Sequence, residues 1–188
     1  MPKVLVLFHS RTGNTAALAD AIADGAASVK FTEVDVRRVD DLAAQSAIDA
    51  DESWKASRAV LAKKYRTLES VDVIAQYDAL ILGGPARYGI LSAELKHTLD
   101  QAGLAADGAL RDKIGSAFGP EATPNGGHDT NVMSMLLPMM HLGMIIVAAG
   151  YADGSSTDRT TIARQQGARV ARVAEWVRHA KSHEGHKH

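Results

Sequence analysis

Three short segments carry the residues best suited to chemistry. Ser10-Arg11-Thr12-Gly13-Asn14-Thr15 joins an apolar run to a stretch with helical spacing. A loop that leads into a helix amino terminus offers backbone N–H groups and the positive end of the helix dipole to an anion. Ser10, Thr12 and Thr15 add hydroxyl donors, and Gly13 allows close backbone approach. The segment lacks the Gly-Lys-Ser/Thr ending of a Walker loop and the Gly-x-Gly-x-x-Gly dinucleotide fingerprint. It suits a monophosphate held mainly by neutral donors. The plainer reading is a capped turn, with Asn14 or Thr12 as the N-cap. Gly84-Pro85-Ala86-Arg87-Tyr88-Gly89 offers an aromatic ring, Tyr88, that can stack on a flat ligand. Gly119–Asp129 ends Asn125-Gly126-Gly127-His128-Asp129, and its glycines permit close backbone approach to a ligand. Alone, the second segment reads as a surface turn and the third as a glycine loop.

Their meaning comes from the elements around them. Val4–Phe8 is an unbroken apolar run, too short for a helix, which suits a strand buried on both faces. From Thr15, apolar residues recur at helical spacing through Ala26. Val29–Val39 alternates and reads as a second, more exposed strand. Ala79–Leu82, Ile114–Phe118 and Met144–Ala149 read as three more, each followed by glycine. Leu91–Gln101 has a helical pattern that stops at Gly103, and Thr160–Lys181 is a long amphipathic helix carrying Trp176 on its apolar side. Pro138 should kink or end any helix within Met133–Met144. Asp40–Gln76, with Trp54 and a helical-looking Ala56–Tyr65, has no clear place. Trp54 reads as packing rather than as part of a site.

Strands alternating with helices imply a three-layer α/β/α fold around a doubly wound, five-stranded parallel sheet. The order 2-1-3-4-5 places a ligand at the switch point beside the first strand. The three segments then meet at one crevice, at the carboxyl ends of strands one, three and four.

Composition narrows the functions. The 188 residues suit one domain, 1–181, followed by a tail at 182–188 with His183, His186 and His188 that reads as solvated and disordered. A net charge of −1 supplies no field for nucleic acid or an anionic membrane, and argues against an acidic electron carrier. No cysteine is present, which excludes disulfides and thiolate chemistry, and no metal site is expected. The first apolar run is too short for a signal peptide, and no stretch reaches the ~20 apolar residues of a membrane span. The expected location is cytoplasmic. Met133, Met135, Met139 and Met140 supply more soft apolar surface than one helix face buries easily, which points to a homo-oligomer.

The motifs KVLVLFHSRTGNT, YDALILGGPARYG, LKHTLDQAG, NGGHDT and HLGMIIV, in this order, resemble the WrbA-type NAD(P)H:quinone oxidoreductases, which are flavodoxin-like FMN proteins. The resemblance runs from Lys3 to about Tyr151. It implies FMN as cofactor, with its phosphate on Ser10–Thr15 and further contacts from Pro85–Gly89 and from Thr123, Asn125, Gly126 and Gly127. It also implies His141 at the flavin, where an imidazole N–H would stabilise the charge of the reduced ring. The implied activity is two-electron, ping-pong hydride transfer from NAD(P)H to a quinone, in a tetramer or dimer. The alternatives are a flavodoxin-like electron carrier and a regulatory module that has lost its flavin.

Overall fold

The computed structural model describes residues 1–120, 128–149 and 158–184. The described elements, in chain order, are β1 (Lys3–Phe8), α1 (Asn14–Ala27), β2 (Glu33–Arg38), α2 (Gln45–Asp49), α3 (Glu52–Lys64), β3 (Arg66–Thr67), β4 (Ala79–Gly83), α4 (Ala93–Ala106), β5 (Ile114–Phe118), α5 (His128–His141), β6 (Ile145–Ile146) and α6 (Arg159–Glu184). The strands form one parallel sheet in the order β3-β2-β1-β4-β5-β6. The five strands expected from sequence are β2, β1, β4, β5 and β6, in the expected order. The sixth, β3, pairs only Arg66 and Thr67 with Arg37 and Arg38, too few residues to leave a pattern.

The apolar run of β1 is fully buried because both of its faces are covered. Val4, Val6 and Phe8 pack with α1, α6 and Tyr65, while Leu5 and Leu7 pack with α4 and α5. Phe8 meets the Tyr65 ring edge-on at 4.9 Å between centroids. The α1–α6 contact depends on two glycines. A Cβ on Gly25 would lie 1.9 Å from the Arg164 carbonyl oxygen, and one on Gly167 would lie 1.9 Å from that of Ile22. No side chain fits there, so the two helices touch backbone to backbone.

Five expectations are corrected. Helix α4 continues past Gly103, which packs against Leu142, and ends where Asp107 and Gly108 turn left-handed, at φ 41° and 81°. Helix α5 continues through Pro138 to His141. A mid-helix proline costs roughly 3 kcal/mol, but Met135 and Met139 on either side are completely buried and hold the turn in place. Trp176 lies 64 % exposed on α6, not in the core. Strand β6 is shorter than Met144–Ala149, pairing only Ile145 and Ile146 with β5. Helix α6 extends to Glu184, so Ser182 and His183, assigned to the tail, are helical. The unplaced region becomes α2, α3, β3 and a 3₁₀ turn at Val71–Gln76. Asp51 caps α3 by accepting a hydrogen bond from the Trp54 N–H at 3.0 Å.

Candidate functional site

The stems of the three loops are tied together. The His9 N–H donates to the Gly83 carbonyl at 2.9 Å, and the Gly84 N–H donates to the Phe118 carbonyl at 3.2 Å. The chain therefore leaves β1, β4 and β5 side by side at one edge of the sheet, as the order of strands requires.

In the first loop, Gly13 is the N-cap of α1, at φ 90°, and no side chain caps the helix. The capped-turn reading with Asn14 or Thr12 is therefore not what forms. The Gly13 N–H donates to Ser10 Oγ at 3.0 Å, which folds the loop back on itself. Thr15 is buried at the helix start, whereas Thr12 and Asn14 are exposed. An uncapped first turn leaves its backbone N–H groups, beside the hydroxyls, available to an anion. Arg11 points elsewhere: its guanidinium lies 4.0 Å over the Trp54 ring and 3.9 Å from Glu94.

In the second loop, Arg87 and Ile90 exchange backbone hydrogen bonds of 2.7 and 3.2 Å around a two-residue turn, Tyr88-Gly89. Both turn residues have positive φ, 53° and 86°. That is the primed hairpin geometry, which usually takes Asn-Gly; a tyrosine in it costs roughly 1–2 kcal/mol. The ring gains no protein contact in return, because Tyr88 is fully exposed. The strained turn leaves the Tyr88 ring projecting beyond the carboxyl end of β4. Both ends of the loop are fastened to α5: Asn131 Nδ2 donates to the Gly84 carbonyl at its entry at 3.0 Å, and Ser134 Oγ accepts from the Leu91 N–H at its exit at 2.8 Å. Burial, with the Arg11 charge nearby, lowers the pKa of the Arg87 guanidinium, whose Nε is buried without a partner.

Of the third loop, only Gly119 and Pro120 at its start and the backbone of α5 from His128 fall within the described residues. Thr123, Asn125, Gly126 and Gly127 lie outside them. His141 is exposed at the last residue of α5. Thirteen residues of helix separate it from His128, roughly 20 Å, and β6 begins four residues later beside Ile114, the first residue of β5. Within one chain, His141 therefore stands at the amino edge of the sheet, opposite the loops.

Sequence reasoning missed a buried polar cluster under the first loop. His9 is 1 % exposed, and its Nε2 lies 3.1 Å from Asp41 Oδ1. Its Nδ1 lies 3.1 Å from Ser92 Oγ and 3.6 Å from Glu94 Oε2. Asp41 also accepts from Trp54 Nε1 at 3.2 Å and pairs with Arg58 Nε at 3.4 Å. Burial alone would raise the Glu94 carboxyl, but its backbone N–H, His9, Ser92 and Arg11 together hold its pKa below the ordinary value. The available signal was His9 itself, a polar residue closing a fully buried strand.

A protein-family model described as NADPH-dependent FMN reductase matches residues 2–158. The chain belongs to this family. A relative named NAD(P)H dehydrogenase (quinone) from Nitrobacter winogradskyi is 39 % identical over 181 residues, covering 90 % of this chain and 87 % of the relative. One of the same name from Archaeoglobus fulgidus is 36 % identical, covering 93 % and 98 %. A flavodoxin, WrbA-like protein from Agrobacterium tumefaciens has a similar structure, with a TM-score of 0.64 at 24 % identity over 94 % of this chain and 99 % of that one. That similarity bears on the fold. The residues of the site fit the family's cofactor: an uncapped helix start for a single phosphate and a projecting aromatic for a flat ring system.

Proposed function

We propose that this FMN reductase family member is an FMN-dependent NAD(P)H:quinone oxidoreductase. The names of its relatives support the substrates. The observation that carries the reading is the pairing of two features: an α1 start capped only by Gly13 and the strained, exposed Tyr88 turn on the adjoining strand. When bound, FMN supplies the two-electron chemistry between a nicotinamide and a quinone. The chain supplies the placement. Ser10, Thr12, Thr15 and the backbone from Gly13 to Thr15 hold the phosphate. Pro85–Gly89 lines the ring, with Tyr88 stacking on it, and Thr123, Asn125, Gly126 and Gly127, outside the described residues, are its further contacts in this reading. One exchangeable face serves both substrates, so neither needs a pocket of its own.

His141 belongs to this reading only if a second copy brings it to the crevice. A homodimer or homotetramer is therefore part of the proposal. Met133, Leu137 and Met140 support it, since all three lie about half exposed on α5 while Met135 and Met139 are buried. A cytoplasmic location completes it, because NAD(P)H is available there.

Steady-state kinetics on FMN-loaded protein test the activity. NADH or NADPH oxidation with benzoquinone should give parallel double-reciprocal lines. Intersecting lines would defeat the shared face, and no turnover by either nucleotide would defeat the activity. Light scattering that shows a monomer at working concentration would remove the oligomer and His141 with it.

A further inference from the structure

We infer that His9 is the positioning residue of the phosphate loop, acting through a closed ring of side chains that holds Arg11 away from the anion. The inference rests on Ser10–Thr15 as the FMN phosphate site and goes beyond it. From His9 the ring runs through Nδ1 to Glu94 at 3.6 Å and from Glu94 to Arg11 at 3.9 Å. Arg11 stacks on the Trp54 ring at 4.0 Å. Trp54 Nε1 donates to Asp41 at 3.2 Å, and Asp41 returns to His9 Nε2 at 3.1 Å. Five separate stretches meet there: the end of β1, loop one, the segment after β2, α3 and the first turn of α4.

The physical consequence concerns Arg11. A guanidinium in a phosphate loop would ordinarily turn to the phosphate. Here the aromatic face of Trp54 and the Glu94 carboxylate take it instead, which leaves the anion to backbone N–H groups and hydroxyls. Both acids are nearly buried, with side chains 5 % and 6 % exposed. His9 sits between them and keeps each in place. Without it, two buried carboxylates would face each other across an apolar ring, and Glu94 could not hold Arg11 where it is. The His9 backbone is also one residue from Ser10, so a shift at His9 is passed straight to the loop.

The same three side chains offer ligand atoms within 4.8 Å of one another, and Arg11 and Arg58 pair with the two carboxylates.

The test compares FMN with riboflavin, which lacks the phosphate. Both are titrated into flavin-free protein by fluorescence quenching. His9→Phe should displace the Ser10–Thr15 donors, an effect that outweighs any new contact from a released Arg11, and so weaken FMN about tenfold while leaving riboflavin affinity unchanged. His9→Gln, which keeps one donor, should recover part of the loss. If His9→Phe does not fold, Trp54→Phe, which loses the indole N–H to Asp41 and part of the ring beneath Arg11, should still show a smaller loss confined to FMN. Equal loss for both ligands would mean a merely structural role and would overturn the inference. So would unchanged FMN affinity. Thr12→Val with Thr15→Val is the control. A loss there with none at His9 overturns the positioning role alone, whereas wild-type affinity there overturns the phosphate site and the inference with it.

Discussion

Loops one and two border the same crevice and are held by different means. Loop one is fixed from beneath by side chains: buried His9, Asp41 and Glu94, with Arg11 drawn onto Trp54. Loop two is held at its tip by its own backbone, through a two-residue turn bridged from Arg87 to Ile90, and at its two ends by Asn131 and Ser134 of α5, and its tip side chain is exposed. The difference suits the tasks proposed for them. A phosphate is bound by a set of donors whose directions must be fixed, and fixing them before the anion arrives removes an entropic cost of binding. A flat ring that must admit one substrate and then another is better served by an aromatic that touches nothing else.

The largest effect should come from loop one. Thr12→Val with Thr15→Val should lower FMN affinity by at least tenfold, since each bond to a charged phosphate is worth roughly 1.5–3 kcal/mol. A flavin titration measures it; an unchanged constant would erase the distinction between the loops. Next is Gly89→Val. A β-branched residue at φ 86° should cost roughly 1–2 kcal/mol. Thermal melts should show that loss, and turnover should fall more than FMN affinity does, because the turn carries Tyr88 and not the phosphate.

Acid should loosen loop one without straining loop two. The Glu94 carboxyl is depressed in the fold, so its contribution is complete above its ordinary value of 4.5 and disappears as pH falls through its lower folded value. Urea melts from neutral to strongly acidic pH should lose part of that acid limb in Glu94→Gln. An identical limb in both proteins would show that Glu94 carries no such linkage. The smallest effect is expected at the tip of loop two. Tyr88→Gly relieves the left-handed strain but adds freedom to the unfolded chain, so stability should change by less than about 1 kcal/mol. Turnover should nonetheless fall, and a variant with full activity would show that the ring does not stack.

The two loops were not equally legible. Loop two could be read because the turn chemistry of Gly84–Gly89 is local and because an aromatic next to a glycine is visible in the chain. The donors of loop one were legible for the same reason. The restraints beneath it were not, because Asp41 and Trp54 fall in the region between Asp40 and Gln76 whose pattern resolves into short elements. Arg11 entered the phosphate loop only through the family resemblance, which assigns Ser10–Thr15 as a whole. Only the position of α3 reveals that the Trp54 ring takes it. His141 illustrates the same limit at longer range: its motif could be recognised, but the direction of α5 carries it to the far edge of the sheet.

The sequence by itself determined the layered α/β fold, the order of the five main strands and the set of loops at their carboxyl ends. These follow from period, run length and turn residues, which depend on neighbours along the chain. Only the tertiary structure decided the added strand β3, the continuation of α4 past Gly103 and of α5 through Pro138, the exposure of Trp176 and the ring around His9. Each of these depends on what a residue meets across space. Gly103 is tolerated because Leu142 packs on it, and the buried acids are tolerated because His9, Arg11 and Arg58 reach them from separate elements. Such contacts form at distances of 3–4 Å that packing alone sets, and no spacing along the chain encodes them.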